Sequence, residues 1–257
     1  MIADYFRPSS VAEAVDLLTD PDSVRKPLGG GTYLSRHQDT EFGVVDLQDS
    51  GLDQIEVNNR EVTAGAMVRL CDLLHHPDIH PEIKRAVKID ASENIRNAAS
   101  IGGWLISSDG RSILSTVFLA LDTALTWEPK GVSIRLGDWL PLRSQESPGV
   151  LMTSMIWSKQ PHMTFEYVAR TPKDRPILIV AVAQWKSGRT RVALGGYGHS
   201  AVIAMDGTEE NGSDLAAQDA YFDAGDQWAT AHYRRDVAAK LALRCLAKLH
   251  NYKESED

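Results

Sequence analysis

Two glycine clusters carry the pattern in this chain best suited to chemistry. One is Leu28-Gly29-Gly30-Gly31-Thr32-Tyr33; the other is Ser100-Ile101-Gly102-Gly103, preceded by Ile95-Arg96-Asn97. Successive glycines tolerate positive φ and lack the Cβ atoms that keep a ligand away from backbone N–H groups. A turn of this kind can hold a phosphate on main-chain amides, without a cationic patch. The first cluster lacks the lysine of a P-loop and the spacing and following helix of a dinucleotide fingerprint, so alone it reads first as a tight turn. The second cluster shifts that balance. Two close-approach turns can cradle a diphosphate from two sides, with the hydroxyls of Thr32 and Ser100 as further donors.

Other constellations carry less. His75, His76 and His80 are interrupted by Pro77 and Pro81 and read as a solvated loop before a metal site. Cys71 and Cys245 are the only cysteines, too few for a zinc site or an iron–sulfur cluster, and are expected as free thiols ahead of a disulfide. Asp109 and Arg111 follow the second glycine turn and read equally as ligand contacts or a surface ion pair. No serine has the Gly-x-Ser-x-Gly context of a hydrolase, and no His–Glu pair has metalloprotease spacing. A net charge of -8 argues against a nucleic-acid footprint.

The elements that must position the glycines follow from periodicity and caps. A first helix is expected after Pro8, with Ser9 or Ser10 and Glu13 as a capping box, ending near Asp20. Strands are expected at Lys26–Leu28, Phe42–Leu47 and Glu61–Ala66, and helical segments around Leu70–Leu74, Pro81–Asp90, Ala91–Ala99 and Ser112–Thr123. Ala124–Trp127 and Val132–Leu136 read as a hairpin, with strands at Val150–Trp157, Phe165–Arg170 and Thr190–Gly195. Ile177–Trp185 reads as strand or helix. Helical pieces are expected within Asp206–Asp226, and Ala231–Leu249 is the clearest helix. At 257 residues the chain has room for two units, and the boundary is expected near Lys159-Gln160-Pro161. The N-terminus has no secretory pattern and no apolar run is long enough for a membrane span, so a cytoplasmic protein is expected.

The chain resembles the flavoprotein (medium) subunits of molybdenum hydroxylases, the family that includes the carbon monoxide dehydrogenase medium subunit and the xanthine dehydrogenase flavin domain. Tyr5-Phe6-Arg7-Pro8 with Glu13-Ala14 is similar to that family's start, and Leu28–Thr32 to its first glycine turn. Ile95-Arg96-Asn97, two residues, then Ser100-Ile101-Gly102-Gly103 is the most specific match. Leu119–Asp122, Gly195-Gly196 and His232–Arg235 keep the family's order.

The resemblance implies an α+β fold: a two-part FAD-binding domain of the vanillyl-alcohol-oxidase (PCMH) type over residues 1–160, with subdomains of about 1–53 and 54–160, then a small C-terminal α+β domain over 161–257. It implies FAD, with Gly29, Gly30, Gly31, Thr32, Tyr33, Ser100, Ile101, Gly102, Gly103 and Asp109 as contacts. It also implies electron transfer to an acceptor from partners, a molybdopterin-binding large subunit and an iron–sulfur small subunit. Four positions depart from the family pattern. Trp104 stands where Asn or Asp is usual, Ile113 where many members have a cofactor-binding Asp, Tyr33 for Asp or Ser, and Tyr167 for Lys. Should Trp104 fill the dinucleotide space, the alternative is a flavin-free structural or assembly subunit with the same fold.

Overall fold

The computed structural model describes residues 2–36, 40–145 and 147–254. It is built on three sheets. The first is parallel, with β1 (Ile2–Phe6) and β2 (Arg25–Leu28) flanking β3 (Phe42–Asp46). Every residue of β3 is buried. Helix α1 (Val11–Thr19) packs Ala14 and Val15 against Val45 and Leu47. Its start follows the expected capping: Glu13 N donates to Ser10 Oγ at 3.2 Å, and Glu13 Oε2 accepts from Ser9 N at 2.8 Å.

The second sheet has the order β4-β5-β8-β6-β7, from β4 (Ile55–Val57), β5 (Glu61–Gly65), β6 (Ala124–Glu128), β7 (Val132–Arg135) and β8 (Leu151–Ser158). The expected hairpin is present, Leu125 pairing with Ile134. Helices α2 (Leu70–His75), α3 (Pro81–Asp90), α4 (Glu93–Ala98), α5 (Ile101–Ser107) and α6 (Ile113–Ala120) fill the connection between β5 and β6, and the short α7 (Leu136–Trp139) follows β7. Every residue of α6 is buried, which accounts for the apolar run that obscured its amphipathicity.

The third sheet, order β12-β11-β10-β9, comprises β9 (His162–Val168), β10 (Leu178–Gln184), β11 (Thr190–Gly195) and β12 (Val202–Gly207). The ambiguous segment is strand β10, apolar throughout because both of its faces are covered. Ile179, Ala181 and Ala183 join the large core around α6. Leu178, Val180 and Val182 meet the core made with α8 (Ser213–Ala220) and α9 (Ala231–Glu254). Both cysteines are free, and burial pushes the Cys245 thiol up to about 12.

Two charged clusters tie this sheet down. Arg234 on α9 is fully buried; it donates to the carbonyls of Ile177, Ala224 and Ala229 and to both oxygens of Asp226. Arg189 and Arg191 bind Asp206 on β12, and both also face Asp122, a non-glycine residue with φ 55. The Arg189 hydrogen bonds lead in holding the Asp206 carboxyl down to about 2.

Arg234→Ala removes the side-chain donor from the buried carbonyls of Ile177 and Ala224 and breaks the ion pair with Asp226, so urea unfolding should show a loss of about 3 kcal/mol. Because the Asp206 pKa is depressed, its contribution is full above the ordinary value of 3.8 and disappears as pH falls through about 2. Thermal melts between pH 5 and pH 2 should therefore fall more steeply for the wild type than for Asp206→Asn.

Candidate functional site

The two glycine turns meet backbone to backbone. A Cβ built on Gly30 would lie 1.6 Å from the Ala98 carbonyl oxygen, and one on Gly29 would lie 2.4 Å from Ser100 Oγ. Gly31 turns the chain away with φ 70. Only glycine meets these demands at Gly30, where the main chains touch.

The structure revises the reading of the second cluster as a loop turn. Ser100 is the N-cap of α5, its Oγ accepting from Gly103 N at 3.2 Å. Ile101 N donates to Val68 O at 2.7 Å and Gly102 N to Ala66 O at 3.0 Å, so both amides are spent inside the protein. Gly102 is small for a packing reason, since a Cβ would approach Ala66 and Met152 Cε at 2.9 Å. Among the described residues, by contrast, the amides of Gly30, Gly31 and Thr32 donate to no protein acceptor. The first turn supplies donors; the second supplies a wall.

Together they border a cleft of about 900 Å³. Gly29, Gly30, Gly31, Thr32, Tyr33, Ser100, Gly102, Gly103 and Asp109 all line it. Ile101 points instead into the core, 1% exposed. Tyr33 stands at the rim, with the Arg36 guanidinium 5.6 Å from its ring centroid. The Asp109 carboxylate takes two bonds from Arg175 and one from Arg111 N at 2.8 Å. Burial raises its pKa, but these donors outweigh burial and hold it below the ordinary carboxylate range.

Trp104 and Ile113 do not occupy the cleft. Trp104 is directed at Asp90 and Ser112, its Nε1 3.3 Å from each, and packs on the main core. Ile113 is fully buried. The carboxylate that serves the start of α6 is Asp90, accepting from Ile113 N and Leu114 N at 3.0 Å and from Ser112 Oγ at 2.6 Å. Burial raises the Asp90 pKa in spite of these donors.

Several lining residues carry no signal in the sequence: Lys26, Trp127, Trp139, Arg143 and His199. Trp127 and Trp139 pair with ring centroids 5.6 Å apart, and their Nε1 atoms are buried without partners among the described residues. No motif marks them, because strand pairing and chain return bring them to the cleft.

Residues 1–155 match the family model described as the FAD binding domain in molybdopterin dehydrogenase. This chain is a member of that family. Its cofactor is FAD. The protein YgfM of Escherichia coli strain K12 is 27% identical over 250 residues, covering 94% of each chain. The 6-hydroxypseudooxynicotine dehydrogenase complex subunit alpha of Paenarthrobacter nicotinovorans is also 27% identical, over 99% of this chain and 97% of that one. Among solved structures, quinoline 2-oxidoreductase from Pseudomonas putida 86 superposes with a TM-score of 0.78 at 20% identity, covering 96% of each chain. These matches share the α+β fold, with a FAD-binding region of the PCMH type followed by a C-terminal α+β region.

The cleft fits a dinucleotide of this kind. Its volume lies within the ~300–1,000 Å³ of small-molecule sites, free amides stand where an anion needs them, and unpartnered indole N–H groups border it. Gly30→Ala should separate the turns and weaken FAD binding by at least about tenfold, equivalent to one lost charge-assisted hydrogen bond. Calorimetric titration with FAD, beside a melting curve to confirm folding, checks this.

Proposed function

We propose that this chain is the flavoprotein subunit of a molybdenum hydroxylase complex, passing electrons from iron–sulfur clusters on a partner through FAD to an acceptor. The observation that carries the reading is the joined pair of turns, with the amides of Gly30, Gly31 and Thr32, which have no acceptor among the described residues, on residues that line a cleft of dinucleotide size. In this reading the first turn and the Ser100 hydroxyl hold the diphosphate. Gly103 lets the cofactor approach α5, Tyr33 flanks it, and Asp109 shapes the far rim. Bound FAD supplies the exchange of one or two electrons; the protein positions it and limits water around it.

The two cysteines of this sequence cannot hold a cluster, so in this reading the clusters are supplied by the partner. A molybdopterin-binding large subunit and an iron–sulfur small subunit are the partners we assign, in a cytoplasmic hetero-oligomer. Two relatives support a multi-subunit setting by name: the 6-hydroxypseudooxynicotine dehydrogenase homologue is a complex subunit, and a 31% identical segment of 129 residues matches the carbon monoxide dehydrogenase medium chain of Afipia carboxidovorans. We assign residues 1–160 to the FAD-binding part and 161–257 to the C-terminal domain. Trp104 packed into the dinucleotide space would favour the flavin-free alternative, and Trp104 is engaged with Asp90 and Ser112 instead.

The purified chain, or the chain reconstituted with FAD, should release about one flavin per polypeptide on denaturation, read from its absorption spectrum. A colourless protein that takes up no flavin would overturn the proposal.

A further inference from the structure

The cleft has a second polar feature at the end away from the glycine turns. Helix α5 starts beside Gly29 and spans seven residues, about 10 Å at ~1.5 Å per residue. Beyond it the chain reaches Asp109 and Gly110. Gly110 is joined to the loop after β11: Gly110 N donates to Gly198 O at 3.1 Å, and Gly196 N donates to Gly110 O at 2.6 Å. His199 follows in that loop, and its carbonyl accepts from Arg143 Nη2. Arg143 thus belongs to the Asp109 end of the cleft.

Its other terminal nitrogen is unsatisfied. Arg143 Nη1 is buried and has no acceptor among the described residues. Nor does any carboxylate among them form an ion pair with this guanidinium; nearby Asp109 is committed to Arg175. Burial lowers the Arg143 pKa, the direction expected for a cation with little compensation. An unpaired buried donor on a charged group is costly, so a ligand acceptor at this position would be strongly favoured.

Building on FAD as the occupant of the cleft, we infer that Arg143 anchors the flavin ring: its free Nη1 donates to the carbonyl edge of the isoalloxazine, and its charge favours the reduced ring over the oxidised one. The two ring systems of the dinucleotide extend from a diphosphate at the glycine turns, so one of them reaches the Asp109 end. Adenine stays neutral and gives a buried guanidinium only a hydrogen bond. The isoalloxazine accepts electrons from the partner's clusters, and negative charge builds at its pyrimidine edge, where a fixed cation stabilises it. Electrostatics therefore assigns the flavin half to this end. Arg143 acts here as a binding and potential-setting residue.

The test uses the full chain with Arg143→Gln and Arg143→Lys, each checked by its melting curve. FAD and ADP affinities are measured by calorimetry, and the bound-flavin potential by dye-equilibrated reduction. Arg143→Gln should weaken FAD about tenfold or more while leaving ADP within about twofold. It should also lower the preference for reduced over oxidised flavin about tenfold, a potential about 30 mV more negative for a two-electron couple. Arg143→Lys keeps the charge and should hold the potential near wild type while losing part of the affinity, so it carries the test should the Gln variant unfold. An Arg143→Gln protein with wild-type potential, an Arg143→Lys protein whose potential falls, or either variant losing ADP as strongly as FAD, overturns the inference. A wild-type chain that takes up no FAD is a different failure, of the function beneath it.

Discussion

The main chain of Gly30 lies directly against the carbonyl of Ala98, and the cleft exists because nothing larger than hydrogen separates them. That contact joins the parallel sheet of β1 to β3 with the helical layer of the second sheet, two regions distant in sequence. Once they are joined, the amides of Gly30, Gly31 and Thr32 are left without an acceptor among the described residues, and a bound anion can supply one. An unpaired amide near the surface is cheap while water reaches it and favourable once an anion replaces the water. The turn thus stores binding capacity at little expense to the free protein.

The two glycine clusters do different work although they look alike in sequence. Gly31 answers a dihedral demand, and Gly30 and Gly102 answer demands for space. Ser100 does a third job, closing the first turn of α5 through Gly103 N while keeping its hydroxyl at the cleft wall. Asp90 does not take over the cofactor contact that the resemblance places at Ile113, because it does not line the cleft. The carboxylate serving the start of α6 comes from the end of α3, and the Ile113 side chain joins the core.

Much of the architecture was legible because local signals agreed. Ser10 and Glu13 marked the start of α1, Pro81 opened α3, and the apolar face of α9 stood out by its period. Short elements whose partners are distant were not legible. β1, β4 and β12 each depend on a neighbouring strand for stability, and α5 begins with two glycines, which helix propensity disfavours. At the site, the glycine turns were visible as residue types, and so was Asp109. Arg143 was hidden in the polar stretch before β8, since its meaning lies in the carbonyl of His199, which the fold alone brings near. Trp104 looked like an obstruction because its neighbours in sequence border the cleft; a helix turns successive side chains about 100° apart, and this one faces Asp90.

The backbone seam between Gly110 and the Gly196–Gly198 loop bears on how a ligand enters and leaves. A Cβ at Gly110 would fall 2.0 Å from the Tyr197 carbonyl oxygen, so this seam too is a backbone contact with no room for a side chain. With Arg234 clamping the adjoining loops, contacts fix the cleft at this end too. A dinucleotide entering or leaving there meets walls fixed at both ends, so little of its affinity is lost to closing the site around it.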